Sequence, residues 1–170
     1  AWTVDAAPEM ERVVTANLAH LRPFQPWVAQ EPLTPAARVA LIEQWQAERA
    51  AGMQAPYGIW SDGRLVGSTG VHHRIGPDGL EIGYWVAAAD CGRGIATWSA
   101  RSMTSAAFTH GQVSYVEIHH DPTNEVSGRI PARLGFEQVG TIIPDRPLAP
   151  AETGVSVVWR LTREAWRAQT

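Results

Sequence analysis

Glu81 to Phe108 reads EIGYWVAAADCGRGIATWSARSMTSAAF. Ile82 to Ala87 is an apolar strand that runs into a short turn holding Gly92 and Gly94, and a helix opens at about Ile95. Strand, glycine turn and helix together make an anion cradle. Glycines let the backbone approach a phosphate closely, and the first free N–H groups of the helix point at it. The helix dipole adds partial positive charge at the same place. The expectation is a phosphorylated ligand.

Two common phosphate loops do not fit. The nucleotide-triphosphate loop ends in Lys-Ser/Thr, and all 14 basic residues here are arginine. The dinucleotide fingerprint wants a third glycine three residues after the second, where this chain has Thr97 followed by Trp98. By itself, a G-x-G pair signals no more than a tight turn.

The neighbouring segments carry more. Gly92-Arg93-Gly94-Ile95-Ala96, after Glu81-Ile82-Gly83-Tyr84-Trp85-Val86, resembles the acetyl-CoA loop of the Gcn5-related N-acetyltransferases. Further on, Asn124-Glu125-Val126-Ser127 and then Leu134-Gly135-Phe136-Glu137 resemble that family's second signature, N-x-x-S followed by L-G-F. The resemblance covers about residues 55–160. The wording E-I-G-Y-W and the stretch His20 to Trp27 look most like the RimJ/RimL branch, which includes acetyltransferases of ribosomal protein N-termini and relatives acting on small amines.

This resemblance implies an α/β fold, mixed in the α+β sense. Its central sheet is twisted and mostly antiparallel, with about six to seven strands flanked by about four helices. The sheet is expected to splay between the strand at 80–87 and the strand at 113–119. In the family a first strand precedes the first helix, and only Trp2-Thr3-Val4 stands there, so that strand is expected to be very short or incomplete in this sequence.

Composition sets broad limits. A chain of 170 residues is one domain with room for a core. With 45% apolar and 18% charged residues it is an ordinary soluble composition. No apolar run approaches the ~20 residues of a membrane span, and no signal-peptide pattern opens the chain. The single Cys91 makes no internal disulfide, which points to a reducing cytoplasm. A net charge of −3 argues against a general nucleic-acid surface. Partners are expected to be an amine acceptor, with neither nucleic acid nor membrane, in a monomer or homodimer.

Along the chain, Asp5 to Ala19 reads as a helix capped by Asp5, with Pro8 in its first turn. Thr34 caps a second helix that opens at Pro35 and runs to about Ala51. Its Arg38, Glu43, Glu48 and Arg49 read as a solvated face. Tyr57–Trp60 and Leu65–Arg74 are strands joined by the turn Ser61-Asp62-Gly63-Arg64. After Ile95–His110 and the strand Val113–His119, Asn124 caps a short helix that reaches Leu134 and holds Pro131, a residue expected to kink or shorten it. Phe136–Ile142 and Gly154–Leu161 are the last strands, joined by a proline-rich loop.

Acyl transfer from a thioester to an amine needs a held pyrophosphate, a polarised carbonyl, an amine that loses its proton and a thiolate that leaves. The resemblance gives the pyrophosphate to the backbone N–H groups of Gly92, Arg93, Gly94, Ile95, Ala96 and Thr97. It gives the carbonyl to a backbone N–H near Val86. Arg93 has two readings, an added charge or a solvent-facing side chain. Cys91 stands where the family usually has Gln or Arg and reads as a small turn residue. Glu81 is the candidate general base, its pKa raised by burial, or else a hydrogen-bonded structural glutamate. Ser127 is the candidate acid, or a first-turn serine; Asn124 is a pantetheine contact, a helix cap, or both. A tyrosine acid a few residues before L-G-F is excluded, because Pro131 stands there.

His72-His73 and His119-His120 are adjacent pairs on strands. Neighbours on a strand face opposite sides, so metal binding is not expected. One histidine of each pair faces an acceptor cleft, with His72 and His120 the candidates and His120 the second choice of base. Trp27, Trp45, His20 and the Pro144–Pro150 loop are acceptor-side candidates, pointing to a partly apolar acceptor. The function expected is an acetyl-CoA-dependent N-acetyltransferase acting by a ternary complex on a protein N-terminus or a small amine. The alternative of another class is a CoA-binding sensor without turnover.

Overall fold

In the computed structural model, which describes residues 1–110 and 112–169, six strands form one sheet in the order β1-β2-β3-β4-β6-β5. They are β1 (Gln54–Ser61), β2 (Arg64–His72), β3 (Gly79–Val86), β4 (Tyr115–His120), β5 (Glu137–Ile142) and β6 (Ser156–Thr162). Six α-helices accompany them among the described residues: α1 (Ala7–Ala16), α2 (Leu18–Leu21), α3 (Pro35–Ala50), α4 (Ile95–His110), α5 (Glu125–Arg133) and α6 (Arg163–Gln169). That is more than the four expected. One extra helix comes from a break in the first, the other is the short α6. Residues Val4–Ala6 form a 3-10 turn rather than a strand.

Local chemistry explains most boundaries. At the β1–β2 hairpin Asp62 (φ 50°) and Gly63 (φ 73°) are both left-handed, as a two-residue turn of the favoured hand requires. Thr34 accepts from the Ala37 N–H at 3.2 Å and caps α3. Asp5 caps nothing: it lies in the 3-10 turn, and α1 opens at Ala7 with no side-chain cap. That helix also ends early. Asn17 donates back to the Val13 carbonyl (2.8 Å) and accepts from the backbone N–H of Ala88 (2.8 Å), so the residue that breaks the helix ties it to the end of β3.

Two cores lie on opposite faces of the sheet. On one, Ile82, Val116, Ile118 and Leu161 pack with Ala100, Phe108, Ile130 and Leu134 of α4, α5 and the turn after α5. On the other, Trp2, Met10, Val14 and Ile42 pack with α1, α3 and Leu65, joined by Trp27, Trp45 and Trp85. A fully buried side chain of this size contributes roughly 1.5–3 kcal/mol, so each face is held firmly. The solvated face expected on α3 is partly wrong. Arg38 is 1% exposed and is clamped by Glu31 and Glu11, both at 2.7 Å. Glu43 and Arg49 are exposed.

All strand pairs are antiparallel except β3–β4, which is parallel and short. It joins Gly79 to Tyr115, Leu80 to Val116 and Glu81 to Glu117, and then stops. From Ile82 onward β3 has no partner on that side, so the sheet opens into a wedge. The helix α4 leaves from just beyond the tip of β3, and α5 lies across the wedge from it.

Candidate active site

The wedge leads into a cleft of about 590 Å³ lined by Glu81, Gly83 and Tyr84 of β3, His119 and His120 of β4, and Asn124 and Ser127 at the start of α5. Beyond the tip of β3 the chain reaches the glycine turn. Gly92 (φ 76°) and Gly94 (φ 79°) are both left-handed, and no atom lies within 4 Å of where a Cβ would stand on either. The turn is an open concavity that ends on the first N–H groups of α4. Ile95 and Thr97 are half-buried in that first turn, with Ala96 between them. The backbone is free to meet an anion there.

Arg93 has its partner inside the protein. Its Nη1 donates to Asp90 at 2.7 Å, and Arg64 donates to both oxygens of the same buried carboxylate at 2.7 and 2.8 Å. Hydrogen bonds from Arg64, then from Arg93, hold the Asp90 carboxyl below its usual range. The Asp90 anchor therefore shapes the turn, a role the sequence did not announce. Burial, then the Asp90 charge, pushes the Cys91 thiol up, which keeps it protonated and unreactive.

At the tip of β3, the Val86 carbonyl accepts from His20 Nε2 at 3.2 Å. His20, expected on the acceptor side, instead braces β3 beside the turn, with Cys91 Sγ 3.7 Å away. Across the sheet from Val86, a Cβ on Gly67 would fall well inside contact distance of the Trp85 carbonyl oxygen. Only glycine fits there, and that allows the last residues of β3 to depart from a flat strand.

Glu81 lies at the root of the wedge, on the last residue pair that joins β3 to β4. Arg74 grips it in a two-pronged pair, Nε and Nη2 each at 2.6 Å. Burial pushes the carboxyl up, but the Arg74 hydrogen bonds and charge outweigh it, and the net shift is downward. This corrects the expectation of a raised pKa: Glu81 is held ionised. The pair continues a buried chain. His119 Nδ1 lies 3.9 Å from Glu81, His119 Nε2 lies 2.7 Å from Glu117, and Arg160 donates to Glu117 at 2.7 Å. Burial raises Glu117 and its bonds to His119 and Arg160 lower it, with a net fall.

The two remaining histidine candidates differ. His120 is locked: Nδ1 meets the Asp121 carbonyl at 2.8 Å, and Nε2 accepts from Trp159 Nε1–H at 2.9 Å. No ring nitrogen is left to take a proton from an amine, so the geometry argues against His120 as a base. His72 keeps one free. Its Nδ1 meets Gln54 Oε1 at 2.7 Å, while the Gln54 amide donates to Glu48. That orientation makes Nδ1 the donor and leaves the Nε2 lone pair unclaimed. Burial lowers the His72 pKa to about 4, so the ring is neutral at physiological pH.

On the other wall of the wedge, Asn124 caps α5 by accepting from the Ser127 N–H at 3.3 Å. Pro131 does not disrupt this, because it sits in the last turn. It has no N–H to offer the carbonyl four residues earlier, which belongs to Ser127. The Tyr84 hydroxyl reaches that carbonyl and the Ser127 Oγ, both at 3.4 Å. Burial pushes Tyr84 up to about 12, so it stays protonated. Sequence reasoning missed Tyr84, although it lies in the quoted E-I-G-Y-W. Trp27 lines the cleft and meets Trp85 in a tilted pair, centroids 6.1 Å apart and planes at 42°. The loop after β5 closes the far side, pinned by Arg146 on Glu152 at 2.7 and 2.8 Å and by Thr153 on the buried Asp121. Among the described residues, no three His, Cys, Asp or Glu side chains gather as a metal site. No helix among them is long and apolar enough to cross a membrane.

Comparison with known proteins points one way. The family model described as acetyltransferase (GNAT) domain matches residues 1–137. YdaF of Bacillus subtilis (strain 168), provisionally named a ribosomal N-acetyltransferase, is 32% identical over 104 residues, which span 61% of this chain and 57% of that protein. Among solved structures, Mycobacterium smegmatis RimJ in complex with a CoA-disulfide superposes with a TM-score of 0.80 at 25% identity, over 96% of this chain and 80% of that one. The microcin C7 self-immunity acetyltransferase MccE, in complex with acetyl-CoA and AMP, gives 0.84 at 17% identity, over 94% and 88%. The latter shares the fold.

Proposed function

Because the chain belongs to the acetyltransferase (GNAT) domain family, we propose that it transfers an acetyl group from acetyl-CoA directly to a primary amine within a ternary complex. The observation that carries this is the wedge between β3 and β4, which opens beside the bare glycine turn at the head of α4. A CoA molecule needs such a pair of features: an anion cradle for its pyrophosphate and a splayed strand for its extended arm.

In this reading the backbone N–H groups of residues 92–97 take the pyrophosphate. The pantetheine arm lies along β3 at residues 84–86, and a backbone N–H near Val86 polarises the thioester carbonyl. Asn124 and Ser127 flank the arm from α5. The amine nitrogen attacks the carbonyl carbon, the C–N bond forms, and the C–S bond breaks. The thiolate takes a proton from the Ser127 hydroxyl, which Tyr84 backs and which regains a proton from water in the cleft. The amine proton leaves to water in the open cleft. Glu81, held ionised by Arg74, accepts a hydrogen bond from the amine and orients it rather than acting as a base of raised pKa. Both a protein N-terminus and a free amine suit this chemistry; named relatives of the first kind, and the small-molecule context of MccE, leave both as acceptor classes to assay.

Isothermal titration with acetyl-CoA, with NADH and ATP as controls, tests the donor. Thiol release on a panel of amines and N-terminal peptides tests the reaction. Selective acetyl-CoA binding with amine-dependent thiol release is expected. Tight binding without release on any acceptor would instead mean a CoA sensor, and no binding would end the reading.

A further inference from the structure

The register of β2 and β3 builds a second cavity, of about 350 Å³, next to the cleft. Three cross-strand pairs lie on the sheet face toward α1 and α3: Ser68 with Trp85, Gly70 with Gly83, and His72 with Glu81. Side chains alternate along a strand, so all six point to that side. The middle pair is glycine on both strands. It leaves a strip without side chains of its own, with the Pro56 backbone against Gly70 and the edge of the His72 ring against Gly83, between an apolar end, Trp85, and a polar end, His72 and Glu81. Trp27 and Trp45 stand over the strip from the 3-10 turn at Pro26–Gln30 and from α3, with Leu41 beside them. Gly83, Tyr84, Arg74 and Trp27 line both cavities, so they communicate at the polar end.

No side chain of the protein fills this slot, although it adjoins a tryptophan-rich core. A flat, apolar group suits a slot walled by the indoles of Trp27, Trp45 and Trp85; a branched aliphatic group suits it less. At the polar end the His72 Nε2 lone pair is unclaimed, and Gln54 and Glu48 hold the ring so that it accepts rather than donates. An N–H entering from the slot meets it beside the Glu81 carboxylate. We propose that the slot seats an aromatic ring joined by a short arm to the acceptor amine, whose N–H is received by His72 Nε2. This rests on the transferase reading above. Such an amine occurs as a free arylalkylamine or as the N-terminus of a peptide that begins with an aromatic residue.

The test compares thiol release on phenethylamine and tryptamine with release on 2-cyclohexylethylamine, and on peptides beginning with Phe or Trp with those beginning with Ala or Ser. At least a tenfold higher kcat/KM for the aromatic member is expected in one or both series, and the series that shows it identifies the source. Gly83→Ala adds a Cβ 3.5 Å from His72 Nε2, an ordinary contact that the fold accommodates; Gly83→Val fills more of the slot. Both are expected to abolish the aromatic preference through KM, with acetyl-CoA affinity kept. Equal rates on the aromatic and non-aromatic members of both series with the unmodified protein would overturn the proposal, as would a preference that survives Gly83→Val. Failure of acetyl-CoA to bind would sink the transferase reading instead. In that event, phenethylamine binding read by tryptophan fluorescence, present in the unmodified protein and lost in Gly83→Val, still decides the slot.

Discussion

Two arginine–carboxylate clusters border the same slot and behave differently. At one end, Arg38 is 1% exposed and its partner Glu31 is 2% exposed, with Glu11 completing the clamp. At the other, Arg74 is 56% exposed while it grips Glu81, which is 12% exposed. The first pair is almost wholly buried and is part of the lobe that covers β1–β3. The second is shielded on the carboxylate side and wet on the guanidinium side, so the carboxylate at the root of the cleft is held ionised beside an exposed cation. The same two residue types thus hold a fold in one place and furnish a site in the other, and exposure of the arginine separates the cases.

Breaking each cluster should have opposite signatures. Arg38→Met leaves a buried carboxylate without its counter-ion and is expected to cost about 3–5 kcal/mol, read as a lowered urea midpoint. If it melts like the unmodified protein, the enclosed cluster is not structural. Glu81→Gln should lower the urea midpoint less than Arg38→Met does and lower kcat/KM by about 10–100-fold, which is ~1.4–2.7 kcal/mol, with acetyl-CoA affinity intact. An unchanged rate rejects the anchoring role.

Titration sharpens the contrast. Unfolded, His72 takes up a proton at its ordinary 6.5; folded, it stays neutral to about 4. The unfolded chain binds more protons in that window, so stability falls as pH drops from above 6.5 toward 4. Glu81 has a depressed folded pKa, so its contribution is present above the unfolded value and is lost as pH falls through the folded one. Urea midpoints measured between pH 4 and 7 should decline toward acid, and the slope should shrink in His72→Phe. A flat profile would refute the buried neutral imidazole. The smallest effect is expected from Ser127→Ala, roughly fivefold in kcat, because Tyr84 and water remain near the leaving thiolate; a loss of several thousandfold in kcat would make Ser127 the dominant acid.

Much of this molecule was legible before any coordinates. The helix Ile95–His110, the turn before it and the hairpin at Asp62-Gly63 all rest on signals a few residues long, and each stands where those signals put it. What the chain hid was set by distance. Arg38 reads as solvated because its partners Glu11 and Glu31 arrive from other segments. Glu81 reads as a base of raised pKa because Arg74, beyond the end of β2, returns to it through the hairpin. Asn17 reads as one more helical residue until Ala88 is placed beside it. Pro131 reads as a defect, while its place in the last turn leaves the α5 start intact and frees the Ser127 carbonyl for Tyr84.

The brevity of the β3–β4 ladder has a mechanical consequence. Among the described residues, three pairs are the only strand-to-strand rungs between a β1–β2–β3 plate and a β4–β6–β5 plate, so the sheet is a hinge with its gap facing the cleft. A donor whose arm lies along β3 supplies the missing rungs from outside the chain and turns two plates into one continuous span. At a hundredfold excess over Kd such a ligand stabilises the folded state by about 2.7 kcal/mol, a shift that thermal melting reads directly. A fragment that fills the cradle without the arm would leave the hinge free. Amide exchange along β3 and β4 should then slow with whole acetyl-CoA and stay fast with the fragment.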